Sequence, residues 1–323
     1  MGKEYKRQNG FLGLKHSGVM LGLAARLLSF LFFVGMTYIF LFPIIYMLSV
    51  SVREPSSVQD PTVIWVPKAL SGVSFKEAIK AMDYWNSLLL TAIISVGGTL
   101  TSLVSCSMAG YGLARFKFKG NKLVFALVVV TITLPSVSIM NASYLNFRYF
   151  DFGGLLSLFG VNINLLNTPW VFLLPALFGA GLRNGLFIFI FRQFFSGMPK
   201  ELEEAAYIDG CGPFSTFVRI MLPMSKAAFI TVMLFSFIWH WNEYYMSALY
   251  FIEGVKPLSV MLDSLQSTLG LALSGALNGV SSPYVLRTYL QAGSLLTIIP
   301  PLILYIFTQR QFTESIERTG IVG

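Results

Sequence analysis

Residues 203 to 223 read EEAAYIDGCGPFSTFVRIMLP and lie between two of the most apolar runs of the chain. The segment carries Glu203, Glu204, Asp209 and Arg219, a Gly210-Cys211-Gly212-Pro213 break, and closes on Leu222-Pro223. A polar, punctuated stretch between such flanks is what a chain needs where it leaves one lipid-crossing segment and prepares the next. Irregular backbone can be solvated there and cannot be solvated in hydrocarbon.

The composition supports this reading. The 323 residues are 55% hydrophobic and 12% charged, whereas soluble domains carry roughly 45–50% apolar and about 25% charged residues. A globule of this length still needs a polar surface, so lipid must replace water around much of the protein. Cys106 and Cys211 fall in different segments, and His16 and His240 lie far apart, so no spacing suggests a metal site.

A membrane helix needs about 20 mostly apolar residues. Six stretches qualify: Leu27 to Val50, Ser87 to Ala114, Leu123 to Leu145, Pro169 to Phe191, Ala227 to Phe251 and Tyr289 to Thr308. The first is too long for a cleavable signal and lacks a small-residue cleavage site after it. The basic residues alternate with these spans. The tail before the first span holds Lys3, Lys6, Arg7, Lys15 and Arg26, and the loop RFKFKGNK holds Arg115, Lys117, Lys119 and Lys122. Arg192, Lys200, Arg219 and Lys226 surround the quoted loop, and Arg310 and Arg318 follow the last span. These fifteen lie on one side, against seven in the longer loops opposite, so the excess of basic loops places both termini in the cytoplasm. Membrane topology thereby accounts for the net charge of +8 without nucleic acid.

The expected organisation is an all-α membrane protein: a cytoplasmic tail (1–26), a first span (27–50), an extracellular loop (51–85), a core transmembrane domain (86–308) and a cytoplasmic tail (309–323). The quoted loop, extended to 199–223, reads as two short helices. Pro199 and three glutamates suit the first turn of one; Asp209-Gly210 stops it and Gly212-Pro213 starts the next. In the first, Leu202, Ala205, Ala206 and Asp209 share one side, while Glu203, Glu204, Tyr207 and Ile208 share the other. In the second, Phe214, Phe217, Val218, Met221 and Leu222 follow helical spacing, and Pro223 ends or kinks it. The loop is expected to give one stripe to its own core and leave another side for a partner.

Glu204-Ala205-Ala206, three residues, Gly210, nine residues, then Ile220-Met221-Leu222-Pro223 resembles the EAA loop of bacterial ABC-importer permeases. NSLLLTAIISV, WNEYYMSALYF and AGSLLTIIPPLILYIFTQRQF are similar to carbohydrate permeases of the maltose type, so the resemblance covers roughly residues 84 to 323. The ending FTESIERTGIVG matches the family tail only loosely. The resemblance implies a type I importer permease fold in which Glu204, Ala205, Ala206, Gly210, Ile220, Leu222 and Pro223 couple to a cytoplasmic ATPase dimer. It further implies a second homologous permease, an extracytoplasmic solute-binding protein and a sugar substrate, in a bacterial cytoplasmic membrane crossed several times. No Gly-x4-Gly-Lys-Ser/Thr phosphate loop occurs, so ATP and Mg are expected on the partner ATPase, no cofactor on this chain, and no enzymatic activity of its own. An amino-acid or peptide importer is the alternative within the family. A secondary transporter is the alternative outside it.

Candidate substrate-path residues are Asn141, Arg183, Trp239, Asn242 and Glu243. Ionisable groups inside a membrane are functional candidates by default, and Trp239, Trp241, Tyr244 or Tyr245 could stack on a sugar. WHWNEYY also reads as an interfacial aromatic belt, and its similarity to sequence in sugar permeases of differing specificity favours that structural role. Arg183, between glycines, could line a path, pair with a partner's carboxylate or sit in a water-accessible bend. TLPSVSIMNAS reads as a kinked helix with freed carbonyls or as a polar lining. The 51–85 loop, with Pro55, Pro61, Trp65, Pro67 and Trp85, could fold over the outer mouth and touch the binding protein, or serve as scaffold.

Overall fold

The computed structural model describes residues 2–57, 66–161, 163–276 and 283–320. Regular structure among them is helical: α1 (Gly2–Ser51), α2 (Val73–Ala81), α3 (Tyr84–Arg115), α4 (Asn121–Thr133), α5 (Ser136–Arg148), α6 (Trp170–Leu177), α7 (Asn184–Gly197), α8 (Glu201–Ile208), α9 (Pro213–Thr216), α10 (Leu222–Met224), α11 (Lys226–Asn242), α12 (Tyr245–Tyr250), α13 (Leu258–Ala276) and α14 (Pro283–Gly320). Of the expected extracellular loop, Pro61 and Trp65 lie outside the described residues; α2 forms in its second half and packs on α14.

Among the described residues, three segments are single helices long and apolar enough to cross a membrane: Ala25–Ser51, Tyr84–Arg115 and Val285–Gln311. The other expected spans are interrupted. The third is bent by 103° between α4 and α5, because Leu134, preceding Pro135, takes extended backbone that cannot continue a helix. The fourth, expected as one helix from Pro169 to Phe191, is divided into α6 and α7. Gly179 (φ 71) and Arg183 (φ 56) both take left-handed backbone between them. The fifth breaks after Asn242, where Glu243 is extended, and bends by 79° from the α9–α10 segment at its other end. An apolar run reports lipid exposure; it does not report whether the backbone stays helical throughout.

α3 organises the core. Ser87, Thr91, Ser95, Gly98, Ser102, Cys106 and Gly110 recur every three or four positions along it and are buried, a small-residue stripe that admits neighbouring backbones closely. α7, α11 and α6 pack on it. One apolar cluster joins the C-terminal half of α3 to Phe187, Phe191 and Phe195 of α7 and to Phe217 and Met221 of the loop. A second joins α2, α13 and α14 around Met82, Leu258, Leu265 and Ala292. α13 was not expected from the sequence, where 258–276 is apolar but short of a separate span. α1 packs along α14 and otherwise presents exposed Leu, Phe and Ile.

Candidate coupling loop and polar cavity

The loop folds as the two expected short helices. α8 ends at Ile208 with Asp209 as its C-cap, and Gly210 follows at φ 80. The Cys211 N–H bonds the Ala206 carbonyl at 2.9 Å and the Gly210 N–H bonds the Tyr207 carbonyl at 3.1 Å. This paired closure needs left-handed backbone at the position glycine occupies. Gly212 then precedes Pro213 at the first turn of α9. A single π-helical turn over Phe217–Met221 leads into α10.

The sides of α8 differ from the sequence reading. Glu203, grouped in the sequence reading with Glu204, Tyr207 and Ile208, is buried at 8% exposure together with Ala206 of the other group, while Glu204 and Ala205 are exposed. Tyr111 of α3 donates its hydroxyl to Glu203 Oε1 at 2.8 Å, and Arg115 Nε stands 3.5 Å from Glu203 Oε2. Arg115 Nη2 also donates to the Met198 carbonyl, where the loop begins, at 2.8 Å. The cation and the hydroxyl donor offset part of the cost of burying this carboxylate.

The stripe expected on the second helix also divides. Phe217 and Met221 are buried, but Phe214 (68% exposed) and Val218 are not. The π turn places an extra residue in that turn and rotates the later positions relative to Phe214. Exposed Ile208 (87%), Tyr207, Phe214 and Val218 therefore supply apolar surface on the loop. Among the residues implicated in coupling, Glu204, Ala205, Gly210 and Pro223 are exposed, Ile220 and Leu222 are half-buried, and Ala206 belongs to the interior.

The broken spans border a half-open cavity of about 620 Å³, lined by polar Thr131, Ser136, Ser143, Asn146, Arg183 and Asn184 among apolar side chains of α4–α7 and α12. Of the five candidate path residues only Arg183 lines it; Asn141, Trp239, Asn242 and Glu243 do not. The Arg183 guanidinium lies 4.7 Å from the centroid of Trp239, a cation–π contact backed by Phe187 and Phe235 stacked on the same indole. Asn242 donates to the Ile238 carbonyl of its own helix at 3.0 Å. Glu243 Oε1 accepts the Met246 N–H at 3.0 Å, serving the first turn of α12. Trp241 is buried and donates to the Thr297 carbonyl of α14 at 3.1 Å, and Tyr244 donates to Asp263 of α13 at 2.7 Å.

Asn184 escaped the sequence reading. It accepts from Ser102 at 2.9 Å and donates to the Ala176 carbonyl at 3.2 Å, and Ser105 donates to that same carbonyl at 2.6 Å. These side chains satisfy a helix end opened by the α6–α7 break, as hydrocarbon depth requires. Its only sequence signal was an amide beside Arg183 in an apolar run.

Residues 102–313 match the family model described as the binding-protein-dependent transport system inner membrane component. The chain belongs to this family. It is 30% identical over 305 residues to the arabinooligosaccharides transport system permease protein AraQ of Halalkalibacterium halodurans, covering 92% of this chain and 98% of that protein. It is 28% identical over 278 residues to the polygalacturonan/rhamnogalacturonan transport system permease protein YtcP of Bacillus subtilis, covering 84% and 89%. The fold matches a chain of a bacterial ABC transporter involved in import of the acidic polysaccharide alginate, with TM-score 0.72 and 24% identity over 92% of this chain and 98% of that one. The family match thus agrees with the resemblance drawn from the Glu204–Pro223 signature. The helical fold is that of an ABC-permease membrane component, and the relatives are named as transport permeases rather than enzymes.

Proposed function

We propose that this chain is one of two homologous permeases of an ATP-driven, binding-protein-dependent importer of oligosaccharides. Its six spans, with α4–α5 and α6–α7 each counted as a broken span, leave both termini in the cytoplasm of a bacterial inner membrane. The loop at 199–223 docks on a separate ATPase dimer. The observation that carries this reading is the division of α8: Glu204 and Ala205 outward beside exposed Tyr207, Ile208, Phe214 and Val218, and Glu203 and Ala206 inward. A surface that combines exposed apolar groups with an acidic side chain suits a basic-rimmed groove on a partner. The sugar assignment is supported by the names of the relatives.

ATP binding closes the ATPase pair, the loop carries that motion to the spans, and the bundle opens outward to receive sugar from the binding protein. Hydrolysis resets it. ATP and Mg belong to the partner; this chain supplies the path and the coupling.

The test uses the whole complex in vesicles, with its ATPase and binding protein. Uptake and substrate-stimulated ATP hydrolysis are measured for arabino-oligosaccharides and, in parallel, for amino acids and peptides, in wild type and with Glu204→Gln and Gly210→Val. Uptake confined to oligosaccharides and reduced in both variants supports the proposal. Amino-acid uptake would reassign the substrate, and unaltered uptake in both variants would remove the loop from coupling.

A further inference from the structure

Two neighbouring glutamates on α8 do different things. Glu204 points outward, whereas Glu203 is buried against the last turn of α3. Tyr111, Arg115 and Glu203 form a set in which Arg115 Nε stands 3.5 Å from Glu203 Oε2 as an ion pair without a hydrogen bond and Arg115 Nη2 donates to the Met198 carbonyl at 2.8 Å, while the Tyr111 hydroxyl donates to Glu203 Oε1 at 2.8 Å. The side chains of Arg115 and Glu203 are 6% and 10% exposed. The Tyr111 ring is wedged among Phe116, Phe195 and Phe217, with centroids 5.5, 5.5 and 5.0 Å away.

The set joins three elements: the inner end of α3, the end of α7 at Met198, and α8. Displacing α8 alone would strip a buried carboxylate of both its cation and its hydroxyl donor, a costly step in a water-poor site. Displacing α8 together with α3 keeps that carboxylate beside both partners. α3 is one uninterrupted helix of 32 residues, about 48 Å long at 1.5 Å per residue, and at its far end Tyr84 donates to the Leu296 carbonyl of α14 at 3.1 Å. The bent spans can flex at their breaks; α3 has no break in which to absorb a push.

We propose that Tyr111, Arg115 and Glu203 are positioning residues that lock the coupling loop to α3, so that motion of the docked loop is delivered along this helix as a rigid body to the outer half of the bundle. The proposal rests on the reading of 199–223 as the ATPase dock, and it assigns inward transmission to Glu203 and docking to Glu204.

The experiment uses the complete complex in vesicles, with Tyr111→Phe, Glu203→Gln and the double variant. The probe is whichever component of a labelled arabino-oligosaccharide hydrolysate the wild type takes up fastest. Three quantities are read: ATPase retained on affinity purification, ATP hydrolysed, and sugar taken up. The expected result is ATPase retention as in wild type, continued hydrolysis, and a fall in sugar moved per ATP of about tenfold, within the usual range of inter-site coupling. The double variant should be no worse than the more severe single variant, because the residues act as one unit. Tyr111→Phe keeps the packed ring and removes only the hydroxyl, so it carries the test even if Glu203→Gln fails to assemble. An unchanged sugar-to-ATP ratio in Tyr111→Phe overturns the proposal. So does loss of the ATPase from that variant, which would make the set part of the dock itself. A wild-type complex that retains no ATPase or moves no oligosaccharide would instead sink the functional reading, and the proposal with it.

Discussion

A Cβ placed on Gly110 of α3 would lie 2.6 Å from Phe191 Cβ and 2.9 Å from the Arg192 backbone nitrogen of α7. The two helices touch through backbone at this point, and there is no flexible side-chain end to yield. Gly110→Ala is expected to destabilise by about 1–3 kcal/mol through overpacking, read as a lowered unfolding midpoint in detergent. Gly112→Ala, whose nearest neighbour is Phe116 at 3.9 Å, is the control and should leave the midpoint in place. Equal behaviour of the two variants would refute the close crossing.

Gly210 has open space around it, but its φ is 80, so the penalty of substitution there is conformational rather than steric. Asparagine tolerates left-handed backbone better than a β-branched residue. ATPase retention should therefore fall in the order glycine, asparagine, valine. Retention by Gly210→Val equal to wild type would show that the α8–α9 turn is not needed in this shape.

Glu204 is exposed and Glu203 is buried. Glu204→Gln should leave the unfolding free energy of the isolated chain within about 0.5 kcal/mol of wild type, as surface substitutions do, while reducing ATPase retention. A destabilised chain, or undiminished retention, would contradict the outward assignment of this side chain.

Asp151, in the segment between α5 and α6, accepts the Ser157 N–H at 2.7 Å. The Ser157 side chain, and after it the Ser157 backbone N–H, hold the carboxyl below its ordinary range. Because the folded-state value is depressed, this contribution to the turn is present above the ordinary carboxylate range and is lost as pH falls through the depressed value. Amide exchange at Ser157, corrected for intrinsic pH dependence, should lose protection at acid pH. Asp151→Asn should weaken that pH dependence. A turn equally protected at all pH values would show that the carboxylate does not support it.

Membrane residence was legible because lipid exposure leaves a compositional trace that no internal packing can imitate: long apolar runs separated by basic loops. The loop at 199–223 was legible for a different reason. Its stop and start depend on local backbone preference, Gly210 for left-handed φ and Pro213 for a first helical turn, and neither needs a tertiary partner. The candidate cavity was only partly visible. Arg183 and Ser136 stood out as polar groups in apolar runs, but Asn184 and Asn146 reach the same cavity through two helix breaks whose geometry no periodicity encodes.

Apolar run length and glycine–proline punctuation by themselves determined that the chain holds helices apolar enough to cross a membrane, and where the loop helices begin and end. Tertiary structure decided which of two adjacent glutamates is interior, that Phe214 and Phe217 part company across a π turn, and that Trp239 faces Arg183 at 4.7 Å. The division has one physical cause. Solvent preference and backbone conformation are properties of a residue and its near neighbours in sequence, whereas the partner of a buried polar group is set by another helix, here α3, whose Tyr111 and Arg115 precede Glu203 by some 90 positions.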